Sequence, residues 1–269
     1  MNVAHALTEQ TIPSRVAAPG SSVTIPQLGR KSILAVWGAA ALPMAGLAWL
    51  VAPAVAGHLS GEGNVPMAKA LLALLAIGLI WQFVLVAILV WREQRTLRWS
   101  TVREALWLRS PRSRGNGRVG GRLWLILIPL TIAFGAEELI SGGIPTPANR
   151  DMGSFLDSAA GQHFLSGNWG WFGLVVVLGL FNTVLGEELL FRGYLLPRMT
   201  GAFGRRDWLA NGLLFAGYHL HMPWAIPTAL LDTFILAYPT KRFRSAWIGI
   251  AVHSAQSVVV TAFVLALVV

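Results

Sequence analysis

The chain contains no cysteine, so disulfides and thiolate metal sites are both excluded, and any metal would have to be held by His and carboxylate side chains. Charge is scarce too: 12% of the 269 residues are charged against 55% hydrophobic, and mean hydropathy is +0.59. So few charges cannot cover a soluble globule of this size, and the composition points to a bilayer. Acidic residues are the rarer sign, 12 against 21 Lys and Arg. The formal charge of +9 does not read as a nucleic-acid surface, because the arginines fall between apolar runs. Nine of them lie between Arg92 and Arg122, against Glu93 and Glu104 there, which is the pattern of a cytoplasmic loop facing anionic headgroups. No apolar stretch follows a charged start within residues 1–30, so no cleaved signal peptide is indicated. Their Ser, Thr, Pro and Ala content reads as a disordered cytoplasmic tail.

Apolar runs are present in quantity, at roughly 33–57, 67–91, 123–140, 170–197, 208–222, 225–240 and 246–269. With ~20 apolar residues needed to cross a ~30 Å hydrocarbon core, they predict an all-α polytopic bundle of about seven spans in the plasma membrane. Basic residues before span one and after spans two, four and six set the N-terminus inside. The expected organisation is a tail at 1–30, two helices and a basic loop at 31–122, and a core at 123–269. Trp208 and Trp224 bracket span five as interfacial anchors.

An ionisable side chain at membrane depth costs at least ~2.5–3.5 kcal/mol on insertion scales, so each one needs a partner or a task. Those within the spans are Glu187, Glu188, Arg192, His219, Asp232 and His253. Counted from Arg198, Arg206 and Arg244 at ~1.5 Å per residue, Glu187, His219 and His253 lie about 16, 20 and 14 Å deep. Three residues on three helices at one level predict a shared cavity. A lone histidine would more simply be a neutral ring bonded to a neighbouring helix, but the double glutamate beside these two favours a site. Glu188 and Arg192, at i and i+4, form a charge-neutral pair, which leaves Glu187 about 100° around the helix and free to address a water or a metal. It is the expected general base.

Glu137-Glu138 has no arginine a turn later and is expected at the outer interface, outside the site. His221, two residues from His219 and close to Pro223, is expected to face away. Gln256 and Ser257, at i+3 and i+4 from His253, are candidate hydrogen-bonding neighbours, and Asp232 is an accessory candidate at similar depth. Ser254 and Ser257 lack the Gly-x-Ser-x-Gly elbow of a serine hydrolase, and His58 and His163 fall in loops.

Gly186-Glu187-Glu188-Leu189-Leu190-Phe191-Arg192-Gly193, then Phe215-Ala216-Gly217-Tyr218-His219, then His253 resembles the CPBP (Abi) family of intramembrane proteases, which includes the type II CAAX prenyl endopeptidases and bacteriocin-processing or immunity proteins. The resemblance covers roughly residues 123–269. It implies that Glu187 activates water with His219, that Glu188 and Arg192 hold the helix, and that His253 polarises the substrate carbonyl or assists the oxyanion. The substrate it implies is a membrane-associated protein or peptide. The family includes members described as metal-dependent and as metal-free. A divalent ion such as zinc, held by Glu187, His219 and His253, is therefore implied as one option and no cofactor as the other. The family's last motif ends in Asn or Asp four residues after the histidine, where this chain has Ser257. Two other classes are a proton-coupled transporter with Glu187, His219, Asp232 and His253 as a relay, and a non-proteolytic scaffold or immunity protein of the same fold. Oligomeric state is not legible.

Overall fold

A computed structural model describes residues 23–137, 139, 140 and 143–269. The tail expected over 1–30 falls mostly on residues 1–22, which lie outside the described residues, as does Glu138. All regular structure among the described residues is helical, apart from one isolated bridge between Arg112 and Val119.

Four helices are long and apolar enough to cross a membrane: α1 (Arg30–Ala56), α2 (Val65–Gln94), α4 (Trp169–Arg198) and α6 (Ala246–Val268). Among the shorter elements between them are the helices α3 (Leu127–Glu137) and α5 (Asp207–Tyr218) and a return segment over residues 226–243. The seven runs of the sequence are therefore not seven equivalent spans. The 12 residues of α5 rise about 18 Å, well short of a ~30 Å core. A 3₁₀ turn at His219–His221 and Pro223 then stop it. The return segment brings the chain back to where α5 began, where Lys241 pairs with the Asp207 carboxylate and hydrogen-bonds Thr200. Residues 207–243 thus form a short hairpin within the bundle.

Small residues let α1 and α2 approach closely, with Ala40, Ala41, Ala48, Ala52 and Ala70 all buried, as expected where lipid supplies no hydrophobic drive between helices. One apolar cluster joins α1, α2, α4, α5 and α6 through Ile33, Leu79, Phe191, Phe215 and Ile250. Large apolar side chains such as Leu50, Ile132, Val258 and Val259 point outward, which suits a lipid-facing surface. At one end of the bundle Arg198, completely buried, is bonded through Nε and Nη2 to Glu93 and through Nη1 to the Ala105 and Tyr194 carbonyls. Residues 23–29 lie against the same end, where the Leu28 amide donates to the Arg198 carbonyl at 2.9 Å and Gln27 bonds Pro197 and Gly201.

Candidate active site

Glu187 and Glu188 sit between two π-helical stretches of α4, Phe181–Gly186 and Leu189–Leu195. A π-turn closes its hydrogen bond at i→i+5, so residues five apart come onto one face, and such bulges concentrate at functional sites. Asn182 is thereby placed on the wall of the cavity that Glu187 lines. Ideal α-helical spacing would turn it away, which is why the sequence does not announce it.

The two glutamates take different environments. Glu188, fully buried, has Oε2 3.5 Å from Arg192 Nε and Oε1 3.2 Å from His253 Nδ1. The i,i+4 pair expected from the sequence is present, and the structure adds the histidine to it. Arg192 makes no hydrogen bond among the described residues, and its guanidinium lies 3.9 Å from the Phe215 ring centroid, a cation–π contact that compensates part of its burial. Gly249 makes this geometry possible: a Cβ there would collide with Glu188 Oε2. It stands one helical turn before His253, so the close approach of α6 that Gly249 allows is the one that seats the imidazole. With Nδ1 donating to the carboxylate, the neutral ring carries its lone pair on Nε2.

Glu187, 3% exposed, lies close enough to the Tyr218 hydroxyl to interact with it. That hydroxyl in turn accepts from Gln82 Nε2 at 2.6 Å, so its own proton is directed at Glu187. The chain Gln82–Tyr218–Glu187 crosses α2, α5 and α4. His219 Nδ1 is 3.0 Å from the Phe215 carbonyl. A carbonyl only accepts, so Nδ1 carries the proton and the neutral ring leaves Nε2 as an acceptor.

Glu187, His219 and His253 line one cavity of about 520 Å³, together with Asp232 and Gln256. The aromatic floor is Phe215 and Phe134, the latter 5.4 Å from His253 between ring centroids. Ile140, Ile144, Met222 and Trp224 form its apolar upper part. Trp224 packs edge-on to Trp49, near the end of α1 farthest from Arg30, so this rim lies at the opposite end of the bundle from the basic loops. Trp208, the other expected anchor, packs edge-on against Tyr238 at the basic end.

Two expectations need correction. His221 lines the cavity, its ring stacked 5.6 Å from that of His219, because the helix tightens into a 3₁₀ turn at His219 and the α-helical angle between the two no longer applies. Glu137 also lines it, because α3 ends there against α6 instead of continuing to the outer interface. Ser257, by contrast, faces Gly179 in an apolar groove between α4 and α6, and Ser254 Oγ is bonded to Thr183 Oγ1 at 3.0 Å. Neither serine lines the cavity, which leaves Gln256 as the polar neighbour of His253 there.

Among the described residues no three His, Asp or Glu side chains converge closely enough to hold a metal ion. Glu187, His219 and His253 share a cavity without forming a ligand set, so the zinc option fits this arrangement poorly.

A helical membrane bundle that buries carboxylates and imidazoles around a cavity roomy enough for water has the ingredients of a hydrolytic site sheltered within a bilayer. Residues 168–259 match the family model described as type II CAAX prenyl endopeptidase Rce1-like, so this segment of the chain is CAAX-protease-like. The match runs from the start of α4 into α6 and contains Glu187, Glu188, Arg192, His219 and His253. Gln82 and Glu137 lie outside it. No curated protein and no solved structure matches the chain.

Proposed function

We propose that this protein is an intramembrane endopeptidase that hydrolyses a peptide bond by direct attack of a water activated by Glu187. The observation that carries this reading is the convergence of Glu187, His219 and His253 from three helices on one cavity, with Glu188 and Arg192 packed behind them.

Glu187 takes a proton from water, the oxygen attacks the carbonyl carbon, and as the C–N bond breaks Glu187 returns the proton to the leaving amine. Tyr218 orients the Glu187 carboxylate. His219, with Nε2 as acceptor, holds the attacking water in line, and His253, its Nδ1 on Glu188 and its Nε2 protonated in the imidazolium that this carboxylate stabilises, donates to the developing oxyanion. Arg192 neutralises Glu188, so that a carboxylate can sit beside His253 in a dry setting. Gln256, one residue before the position of the family's last polar residue, substitutes for it beside His253. Asp232 is close enough to act on His253 electrostatically and completes the polar wall. No step requires a metal.

With the basic loops inside and the N-terminus cytoplasmic in the plasma membrane, the cavity rim faces the outer half of the bilayer. Water and a membrane-associated peptide then reach Glu187 from that side. Quantitative comparison of peptides from membranes carrying wild type or Glu187→Gln tests the activity and finds the substrate together. Full-length substrates should accumulate, and their cleaved forms vanish, with the variant. Indistinguishable peptide sets from two equally inserted proteins would refute the assignment.

A further inference from the structure

At the end of the bundle opposite the cavity rim lies a second recess, of about 500 Å³, lined by Arg114, Arg205, Lys241, Arg242 and Arg244. The positive-inside rule accounts for the number of basic residues at this end, but not for five of them converging on one concavity from three separate stretches of chain. Arg114 comes from the basic loop, tied by its Nη2 to the Lys241 carbonyl at 3.2 Å. Arg205 follows α4, while Lys241 and Arg242 end the return segment. Arg244 sits at a left-handed backbone position, φ 50°, where glycine is the residue of lowest cost. Its carbonyl is held by Arg109 Nε at 3.1 Å, which fixes the turn.

The charge balance is one-sided. Asp207 is the nearby acid, buried beneath the recess and engaged by Lys241, Thr200 and the Trp208 amide. Arg242 keeps a buried Nη1 without a hydrogen-bond partner among the described residues, which is an unmet demand for an acceptor. Trp208 and Tyr238 complete the wall, packed edge-on with ring centroids 5.1 Å apart, and Trp and Tyr mark the headgroup level of a bilayer.

We propose that this recess is a binding site for the phosphate of an anionic phospholipid headgroup. Arginine forks match phosphate oxygens, and the aromatic wall matches the glycerol and upper acyl region. Free phosphate shares the first chemistry but not the second. The proposal is independent of any proteolytic activity.

The test counts bound molecules by native mass spectrometry on detergent-purified protein titrated separately with phosphatidylglycerol, phosphatidylcholine and inorganic phosphate. One phosphatidylglycerol should bind at roughly tenfold lower concentration than phosphatidylcholine. Arg205→Gln with Arg242→Gln should erase that preference, whereas Arg118→Gln with Arg122→Gln, which removes equal charge from exposed positions outside the recess, should retain it. If the pocket variant unfolds, Arg205→Gln alone, an exposed position, should still weaken the preference severalfold. Equal loss in pocket and control variants, no preference in wild type, or binding of inorganic phosphate without lipid would each overturn the proposal.

Discussion

Two arginines on α4, both completely buried, are treated in opposite ways. Arg198 is saturated, with both carboxylate oxygens of Glu93 and two backbone carbonyls as acceptors, and its guanidinium lies 4.0 Å over Tyr194. Arg192, six positions earlier, has a carboxylate at 3.5 Å, an aromatic face and no hydrogen bond among the described residues. The saturated network joins α2 to α4 and, through the Ala105 carbonyl, to the basic loop. In the unsaturated one, Glu188 is shared with His253 and therefore loosely held by its arginine. Burial of a charge alone is thus a poor sign of function here, and incomplete satisfaction beside a cavity is a better one.

Breaking the saturated network should give the largest stability loss. Arg198→Ala strands the Glu93 carboxylate, and removing one partner of a buried pair costs about 3–5 kcal/mol. The thermal unfolding midpoint in nanodiscs should fall steeply, and Arg192→Ala should lower it less. The reverse order would undo the comparison.

Gly249→Ala attacks the unsaturated side through packing. The added methyl meets Glu188 Oε2, so Glu188 and His253 must separate, at a cost of about 1–3 kcal/mol for overpacking. Cleavage should drop by more than the stability change explains, read by activity per folded molecule. Smaller again is Tyr218→Phe, which removes the hydroxyl between Gln82 and Glu187; a rate loss of roughly fivefold to tenfold is expected for one such hydrogen bond. Gln82→Leu should act through the same hydroxyl, so the double variant should be less than additive; full additivity would show that the chain is not a unit.

Asp151 supplies the baseline of a partly exposed charge. It caps the helix Met152–Asp157, accepting from the Ser154 amide and hydroxyl, and these bonds hold its pKa below the ordinary Asp value. The sign follows: its contribution is present above the unfolded pKa and is lost as pH falls through the lower folded value. Asp151→Asn should cost a few tenths of a kcal/mol at neutral pH, visible as faster amide exchange over 152–157 and nowhere else. A global effect would mean that this loop is coupled to the bundle.

Much of the site was legible because its signals are local. Glu188 and Arg192 are one turn apart, and the depth count that grouped Glu187, His219 and His253 needs only helical rise. What the sequence hid depends on register or on distant chain. The π-stretches that place Asn182 cannot be read from apolar spacing, and the 3₁₀ turn that admits His221 departs from the period assumed for it. Gln82 and Glu93 act across more than a hundred residues of chain. The helical membrane class follows from composition, but hydropathy counts apolar length and does not see that residues 207–243 turn back on themselves. Ser257 and Gln256 were equivalent candidates by spacing, and only the packing of α4 against α6 separates them.

The central claim, that Glu187 activates the water while Glu188 only positions His253, is tested most directly by single-turnover cleavage of an identified substrate in nanodiscs. Wild type, Glu187→Gln and Glu188→Gln would be compared at matched folded fractions. Loss of a general base of this kind costs about 10²- to 10⁴-fold, so Glu187→Gln should fall by that factor with little change in unfolding temperature. Glu188→Gln should be less impaired in rate and more impaired in stability. Cleavage by Glu187→Gln at or near the wild-type rate would contradict the account.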